Sequence, residues 1–428
     1  MKILVQNSGY HLKNLGDVAM LRAAYGELRR QQPDAEILVY TTDAERLQIF
    51  CPGALAAEVL PARTWARVFV FPGRLGRAIA RRVRFLDDWW LRLKLEQPQK
   101  AVRLLENFGV FFRSELPQIR RFTHEVKSVD MVVATGGGYL NSTFSAHGRV
   151  VLTTLGLAQA LGKTTAFLGQ GVGPFEKGSC LEQLVAKAYG AAFLVSFREK
   201  KSSSAFVAKH RLVNTKFTFD DANLLLESSY DDVRENEPCL GLNLRLAKYS
   251  GIDSDFPAKF CEILRDLISE RGVGLVPLPV ATHDSDSDID ALESVASELA
   301  DGLLTGIPTD SVEELVLRVS RCSVIVTCSY HAGVFGASLG IPVVLLSANG
   351  YYDQKLQGLS DAFDGRGVRL VDIRSENWRA EFSKAVIVSL DSSSQRDSQS
   401  IELADDYREE VREVYRRLLT HRDAQDKE

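Results

Sequence analysis

Several features that would indicate a function directly are missing from the sequence. Its six cysteines form no Cys-x-x-Cys pair, and none has a histidine at a zinc-binding spacing. Reduced, mostly buried thiols in a cytosolic protein are the expected arrangement. We therefore expect no disulfide framework, no metal site and no cofactor.

Long apolar runs and an excess of positive charge are also absent. No stretch approaches the ~18 apolar residues of a membrane span. The apolar run after Met1 is too short for the core of a signal peptide. The formal net charge of -4 argues against nucleic-acid binding by the whole chain. Together these absences predict a cytoplasmic protein that does not bind nucleic acid.

What the sequence does contain is an alternation of short apolar runs with helix-length segments. This pattern predicts an α/β fold in which buried parallel strands carry helices on both faces. The predicted strands are Lys2–Gln6, Glu36–Tyr40, Met131–Ala134, Thr164–Leu168, Phe193–Ser196, Leu240–Leu244, Gly274–Pro277, Val324–Thr327 and Val343–Leu346.

The length of 428 residues exceeds what one hydrophobic core usually serves. We expect two Rossmann-like domains with parallel sheets that face a central cleft. The first domain is placed at residues 1–230 and the second at 238–390, joined by a polar, apolar-poor stretch.

Two segments interrupt the strand–helix rhythm. Residues 62–128 contain no clear strand and predict a helical insertion in the first domain. Residues 391–400 are rich in serine and predict a link to a charged C-terminal helix at 401–420.

Ligands of open α/β sheets bind at the carboxyl ends of the strands, so candidate residues are sought there. After the first strand, Gly16 permits an unusual backbone conformation, and Asp17 can cap the helix that begins near Asn14. An ordinary capped helix explains this segment equally well.

Glycine is concentrated after two neighbouring strands. Gly136, Gly137 and Gly138 follow Met131–Ala134, and they favour a ligand-facing loop over a simple tight turn, because three ordered glycines are costly. Gln170 lies in a second glycine-rich loop. Both loops are expected on the same rim of the cleft.

The most informative segment joins a buried strand to a helix of small residues. Ser329, Tyr330 and His331 stand at this junction, beside the free N–H groups of the helix N-terminus. A lone histidine is more often structural, but this position is the one where a ligand is expected. We therefore predict an anion site with His331 at its edge.

Other polar residues also follow predicted strands. Arg198 suits a planar anion, and an ion pair with Glu199 is the alternative explanation. Asn243 and Arg245 are two positions apart, so they share a face. Lys355 can supply a point charge to a phosphate. His283 and Asp284 are the cleft candidates of an acidic stretch, the rest of which is predicted to be a solvated loop.

In their order and spacing these segments resemble the polysaccharide pyruvyl transferase family. The matching pieces are Asn14–Ala19, Gly136–Gly138, Gly169–Pro174, Ser196–Glu199, Asn243–Arg245, the block from His331 to Pro342, and Tyr352–Lys355. The resemblance implies a fold like that of GT-B glycosyltransferases. It also implies transfer of pyruvate from phosphoenolpyruvate to a sugar as a cyclic ketal.

By this resemblance Arg198 would hold the anionic donor and His331 would be the general acid/base. One position departs from the family pattern: Ser329 stands where better-known members carry an arginine. Arg245 and Lys355 are the candidates that could bind the donor anion in its place. A nucleotide-sugar donor, as in a GT-B-like glycosyltransferase, and a non-catalytic sugar- or nucleotide-binding protein therefore stay open as alternatives. The expected acceptor is a saccharide of a cell-surface glycan or its precursor, free or lipid-linked.

The predicted insertion also contains an amphipathic pattern between Arg74 and Leu93. Apolar residues recur there at three- and four-residue steps, with arginines mostly opposite and Trp89 and Trp90 adjacent. The pattern is typical of an interfacial helix, which would give a peripheral contact with the inner membrane face. The alternative is that the apolar face packs on the first domain.

Overall fold

A computed structural model describes residues 1–69, 84–226, 237–246, 256–283, 287–299 and 304–425. Two parallel sheets dominate it. The strands of the first sheet are β1 (Lys2–Gln6), β2 (Glu36–Thr41), β3 (Leu55–Glu58), β4 (Met131–Ala134), β5 (Gly137–Leu140), β6 (Thr164–Val172), β7 (Leu194–Phe197) and β8 (Thr215–Phe217). Those of the second sheet are β9 (Cys239–Asn243), β10 (Gly274–Pro277), β11 (Val324–Thr327), β12 (Val343–Ser347) and β13 (Val368–Asp372).

The strand order in the first sheet is β3-β2-β1-β4-β6-β7-β8, and β5 pairs with the end of β6. In the second sheet it is β10-β9-β11-β12-β13. The paired strands are parallel throughout, with Ile3 opposite both Ile37 and Met131. Strand β4 is fully buried because helices cover both faces of the sheet. The predicted α/β class with two parallel sheets is confirmed.

Helices connect the strands. In the first domain they are α1 (Leu15–Gln31), α2 (Ala44–Phe50), α3 (Val59–Arg67), α4 (Arg84–Glu96), α5 (Pro98–Asn107), α6 (Leu116–Ser128), α7 (Ser145–Ala160), α8 (Leu181–Gly190) and α9 (Lys200–His210). In the rest of the chain they are α10 (Phe256–Arg271), α11 (Asp288–Glu298), α12 (Val312–Arg321), α13 (Tyr330–Ser338), α14 (Gly350–Ala362), α15 (Trp378–Ser392) and α16 (Ser398–Gln425).

Two sequence predictions about loops are wrong in detail. The stretch Gly136–Gly138 is not simply a loop, since Gly137 and Gly138 open strand β5. Strand β6 does not end at Leu168 but continues to Val172. Both strand segments were predicted as loops because glycine is generally depleted in strands. Glycine is nevertheless accepted in a strand where another chain segment approaches closely.

The described part of the amphipathic stretch is the first ten residues of α4. Its apolar residues Leu86, Trp90 and Leu93 pack against the core of the first domain, while Trp89 is 43% exposed. These contacts agree with the packing alternative for this part. The remainder of the stretch, residues 74–83, lies outside the described residues. In the part of the chain that the structure covers, no helix is long and apolar enough to cross a membrane.

Helix α16 returns from the second domain and packs on the first. The Tyr415 hydroxyl donates to Asp221 Oδ2 at 2.8 Å, and Asn223 Nδ2 donates to the carbonyl of Ala404 at 2.7 Å. The helix begins at Ser398, and α15 already ends at Ser392, so the predicted serine-rich link is only a few residues long. The predicted charged helix is present, and its inner face, with Val411, Tyr415 and Leu418, is buried.

Candidate active site

The loops that follow β1 and β10 join the two domains at the cleft. The amide of Leu15 donates to the carbonyl of Val280, and the amide of Thr282 donates to that of Lys13, both at 2.8 Å. Asn14 forms the bridge between them with Ala281. Asn14 also caps α1, because its Oδ1 accepts from the amides of Gly16 and Asp17. The predicted cap, Asp17, is therefore wrong; Asp17 lies in the first turn instead.

Arg198 is fully buried where β7 ends. Its Nε donates to Glu199 Oε1 at 2.8 Å and its Nη1 to Asp220 Oδ2 at 3.0 Å. Burial alone would lower the pKa of the guanidinium, but Glu199 and the other neighbouring groups raise it, so Arg198 stays charged. The ion pair with Glu199, given above as an alternative, is present, and a second carboxylate joins it.

One corner of Arg198 remains open. Its Nη2 has no hydrogen-bond partner among the described residues. A Cβ on Gly138 would lie 2.8 Å from this nitrogen, so the glycine keeps the space beside it clear. The guanidinium therefore offers one buried donor toward strand β5.

His331 lies in the first turn of α13, and Ser329 occupies the N-cap position of this helix without a capping hydrogen bond from its side chain. Its Nε2 is 3.7 Å from Asp220 Oδ2 and has no hydrogen-bond partner in the described chain. Burial, and then the positive charges of Lys355 and Arg198, lower the pKa of His331 well below its usual value. The surroundings therefore favour the neutral imidazole.

Gly16 and His331 come from different domains and touch. A Cβ on Gly16 would lie 2.0 Å from His331 Nδ1, which no ordinary packing allows. The first turn of α1 thus forms the wall against which the imidazole rests.

Tyr330 brings the two cationic side chains together. Its ring centroid lies 4.3 Å from the Arg198 guanidinium carbon and 5.1 Å from Lys355 Nζ, within cation–π range. Lys355 makes no ion pair with any residue that the structure describes. Burial and the charge of Arg198 lower the pKa of Lys355 to about 7, against the attraction of Glu199 and Asp17.

Asn243 and Arg245 share a face, as predicted, and both bind Asp288. Arg245 Nε and Nη2 donate to the two carboxylate oxygens at 2.8 and 3.0 Å, and Asn243 Nδ2 donates at 2.8 Å. Asp288 is fully buried at the start of α11. It therefore does not belong to a solvated acidic loop, and that part of the sequence prediction is wrong.

Three predicted residues remain. Gln170 is fully buried and its Nε2 donates to the carbonyl of Thr135 at 2.7 Å, so it holds β6 to the strand beside it. His283 is half-buried near Asp17, and burial lowers the pKa of its imidazole. Asp284 lies outside the described residues.

Sequence reasoning missed Asp220, which links the two halves of this site. It is fully buried and contacts both Arg198 and His331. Burial raises its pKa, although Arg198 opposes the shift. The pair Asp220-Asp221 follows the short strand β8. This strand lies at the edge of the sheet and has no apolar run, so the sequence did not predict it.

The comparisons with known proteins agree with this architecture. The model of the polysaccharide pyruvyl transferase family matches residues 14–350. No curated protein matches the chain. The solved structures that are similar in fold include three at 11–14% identity. S. aureus MnaA with UDP has a TM-score of 0.56, with 94% of each chain covered.

UDP-GlcNAc 2-epimerase from Neisseria meningitidis, bound to UDP-GlcNAc, has a TM-score of 0.54 and covers 98% of this chain and 100% of its own. Anabaena HepE with UDP and glucose has a TM-score of 0.56 at the same coverage. These likenesses identify the fold as GT-B. Since the family model spans most of the sequence, the chain belongs to the polysaccharide pyruvyl transferase family.

Proposed function

We propose that the protein transfers a pyruvyl group from phosphoenolpyruvate to two hydroxyls of a saccharide. The observation that carries the proposal is the cluster of a buried neutral imidazole, His331, with Arg198 and Lys355 at the cleft of a family member. Arg198 Nη2 binds the donor carboxylate, and Lys355 binds the phosphate.

The chemistry divides between these side chains. Two sugar oxygens bond to the central carbon of the donor, and the bond from this carbon to the phosphate oxygen breaks. The two hydroxyls lose two protons in total. The methylene carbon of the donor gains one proton, and the departing phosphate carries the other. His331 accepts a hydroxyl proton, and Asp220 at 3.7 Å stabilises the imidazolium that forms. Lys355 offsets the charge of the departing phosphate.

A nucleotide-sugar donor is the second candidate. Ser329 favours it, because a serine stands at the cap of α13 where an arginine would contact the anionic donor. The fold relatives that bind UDP point the same way. In this case Arg198 and Lys355 would face the diphosphate.

The two candidates differ in what they bind and release. Phosphoenolpyruvate at 100 times its dissociation constant should stabilise the protein by about 2.7 kcal/mol, and UDP should not. Inorganic phosphate should then appear when a saccharide acceptor is added. Release of a nucleotide diphosphate without phosphate would establish the glycosyltransferase instead.

A pair of glycine variants tests the donor position. Gly138→Ala fills the space beside Arg198 Nη2 and should abolish most of the stabilisation by phosphoenolpyruvate. Gly26→Ala is the control, because a Cβ there meets nothing within 4 Å. Equal stabilisation in both variants would remove Arg198 from the donor site.

A further inference from the structure

The neighbouring carboxylates Asp220 and Asp221 face different parts of the molecule. Asp220 faces the candidate active site, where its Oδ2 accepts from Arg198 Nη1 at 3.0 Å and lies 3.7 Å from His331 Nε2. Asp221 faces helix α16, and its Oδ2 accepts from the Tyr415 hydroxyl at 2.8 Å. Both carboxylates are fully buried. A single peptide unit therefore joins the active site to α16.

Asp221 depends on Tyr415. Among the described residues the tyrosine hydroxyl is the one hydrogen-bond partner of this carboxylate, because Oδ1 has none. Burial raises the pKa of Asp221 to about 7, and the hydrogen bond from Tyr415 opposes this rise. Without the hydroxyl the carboxylate would be buried with neither oxygen paired, which costs free energy. We therefore expect Asp221 to move when the hydroxyl is removed.

A second contact fixes the same segment to α16. Residues Asp221–Leu226 form a short 3-10 helix that lies against α1, α13 and α16. Asn223 Nδ2 donates to the carbonyl of Ala404 at 2.7 Å, and its Oδ1 accepts from Arg408 Nη1 at 3.0 Å. The amide of Asn223 donates to the carbonyl of Asp220 at 3.1 Å. The position of Asp220 is therefore set in part by the residues that α16 holds.

The side chains of the active site depend on Asp220 to different degrees. Arg198 is also held by Glu199, whose Oε1 accepts from its Nε at 2.8 Å. His331 Nε2 has no hydrogen-bond partner in the described chain, and Asp220 is the carboxylate that lies beside it. A small displacement of Asp220 should therefore disturb the imidazole more than the guanidinium.

We propose that Tyr415 is a positioning residue of the active site, which acts through Asp221 to hold Asp220 beside His331. The expected effect on turnover rests on the proposed function, in which Asp220 stabilises the imidazolium of His331. The expected effect on the imidazole itself does not, because it can be measured in the free protein.

The first test compares two tyrosines of α16. Tyr415→Phe keeps the buried ring and removes the hydroxyl, so kcat should fall about tenfold, the worth of one hydrogen bond to a charged group. Affinity for phosphoenolpyruvate should change little, because Glu199 still holds Arg198. Tyr407→Phe is the matched control, since its hydroxyl donates to the carbonyl of Ala362 at 2.6 Å, and it should keep wild-type kcat. Equal kcat in the two variants would overturn the proposal.

A double-mutant cycle tests the route through Asp221. In the Asp221→Ala background the hydroxyl of Tyr415 has lost its acceptor, so Tyr415→Phe should lower kcat no further. A loss of the same size in both backgrounds would mean that Tyr415 acts through the packing of α16 instead. Thermal unfolding shows whether each variant is folded. If Asp221→Ala does not fold, the comparison of Tyr415→Phe with Tyr407→Phe still decides.

The imidazole reports the same displacement without turnover. In protein with isotope-labelled histidine, the Cε1–Hε1 signal of His331 in the NMR spectrum is identified by its loss in His331→Gln. This signal should shift in Tyr415→Phe by more than its line width and should stay at its wild-type position in Tyr407→Phe. An unmoved signal in folded Tyr415→Phe would overturn the proposal.

The outcome is separable from that of the proposed function. If the wild-type protein consumes no donor, the proposed function fails, and the His331 signal decides whether Tyr415 positions Asp220. If the wild-type protein is active and Tyr415→Phe turns over as fast as Tyr407→Phe, the positioning role fails and the proposed function stands.

Discussion

The charged side chains on the two walls of the cleft lie in different electrostatic environments. On the first-domain wall, Arg198 is held by Glu199 and Asp220 at 2.8 and 3.0 Å, so its position and charge are fixed. On the second-domain wall, His331 lies 3.7 Å from Asp220, Lys355 forms no ion pair with the residues that the structure describes, and burial lowers both pKa values. The first-domain wall therefore carries Arg198 between two carboxylates, an arrangement that we call the frame. The second-domain wall carries the groups that can exchange protons.

Removing the imidazole should have the largest effect. His331→Gln keeps the approximate size and polarity of the side chain but loses its basicity, so turnover should fall by about 10²- to 10⁴-fold. Donor affinity and melting temperature should change little, because the frame around Arg198 is untouched. Steady-state kinetics and a donor-binding assay check this. Full turnover in the folded variant would place the proton-transfer group on the other wall.

Moving the imidazole without changing it should have the next largest effect. Gly16→Ala introduces a Cβ 2.0 Å from His331 Nδ1. A displacement of about 1 Å in a catalytic group can cost about 10²-fold in rate, so a loss of this order is expected. Gly26→Ala, on the same helix but with no neighbour within 4 Å, should keep wild-type turnover. Equal activity of the two variants would mean that His331 need not rest on α1.

The smallest effect concerns pH. Lys355 has a pKa lowered to about 7, so it loses its charge as pH rises through this value. If its charge binds the donor phosphate, donor affinity should weaken up to about tenfold per pH unit above 7, since phosphate monoesters with a pKa near 6 keep their charge there.

Substitution of the lysine isolates its share of this pH dependence. Lys355→Met should bind the donor weakly with little change from pH 7 to 9, whereas Lys384→Met, at an exposed site on α15, should behave as wild type. Isothermal titration at several pH values gives both slopes. A wild-type slope in Lys355→Met would assign the titration to another group.

The sequence predicted the parts of the site that follow central strands. Arg198 comes directly after a buried apolar run and His331 four residues after one, and such runs let the ends of central strands be recognised in the sequence. Asp220 was missed because β8 is a three-residue edge strand without an apolar pattern. The role of Asp288 was missed because it stands among other acidic residues, and only its burial beneath Arg245 separates it from them.

The return of α16 to the first domain has a consequence for the order in which the molecule is made. Tyr415, which holds Asp221 next to Asp220, is 194 residues further along the chain. At about 5–20 residues per second, the ribosome reaches it roughly 10–40 s after Asp221. Until then Asp221, the neighbour of Asp220, lacks this hydrogen bond. The surroundings of Asp220 are therefore completed only after Tyr415 has been made.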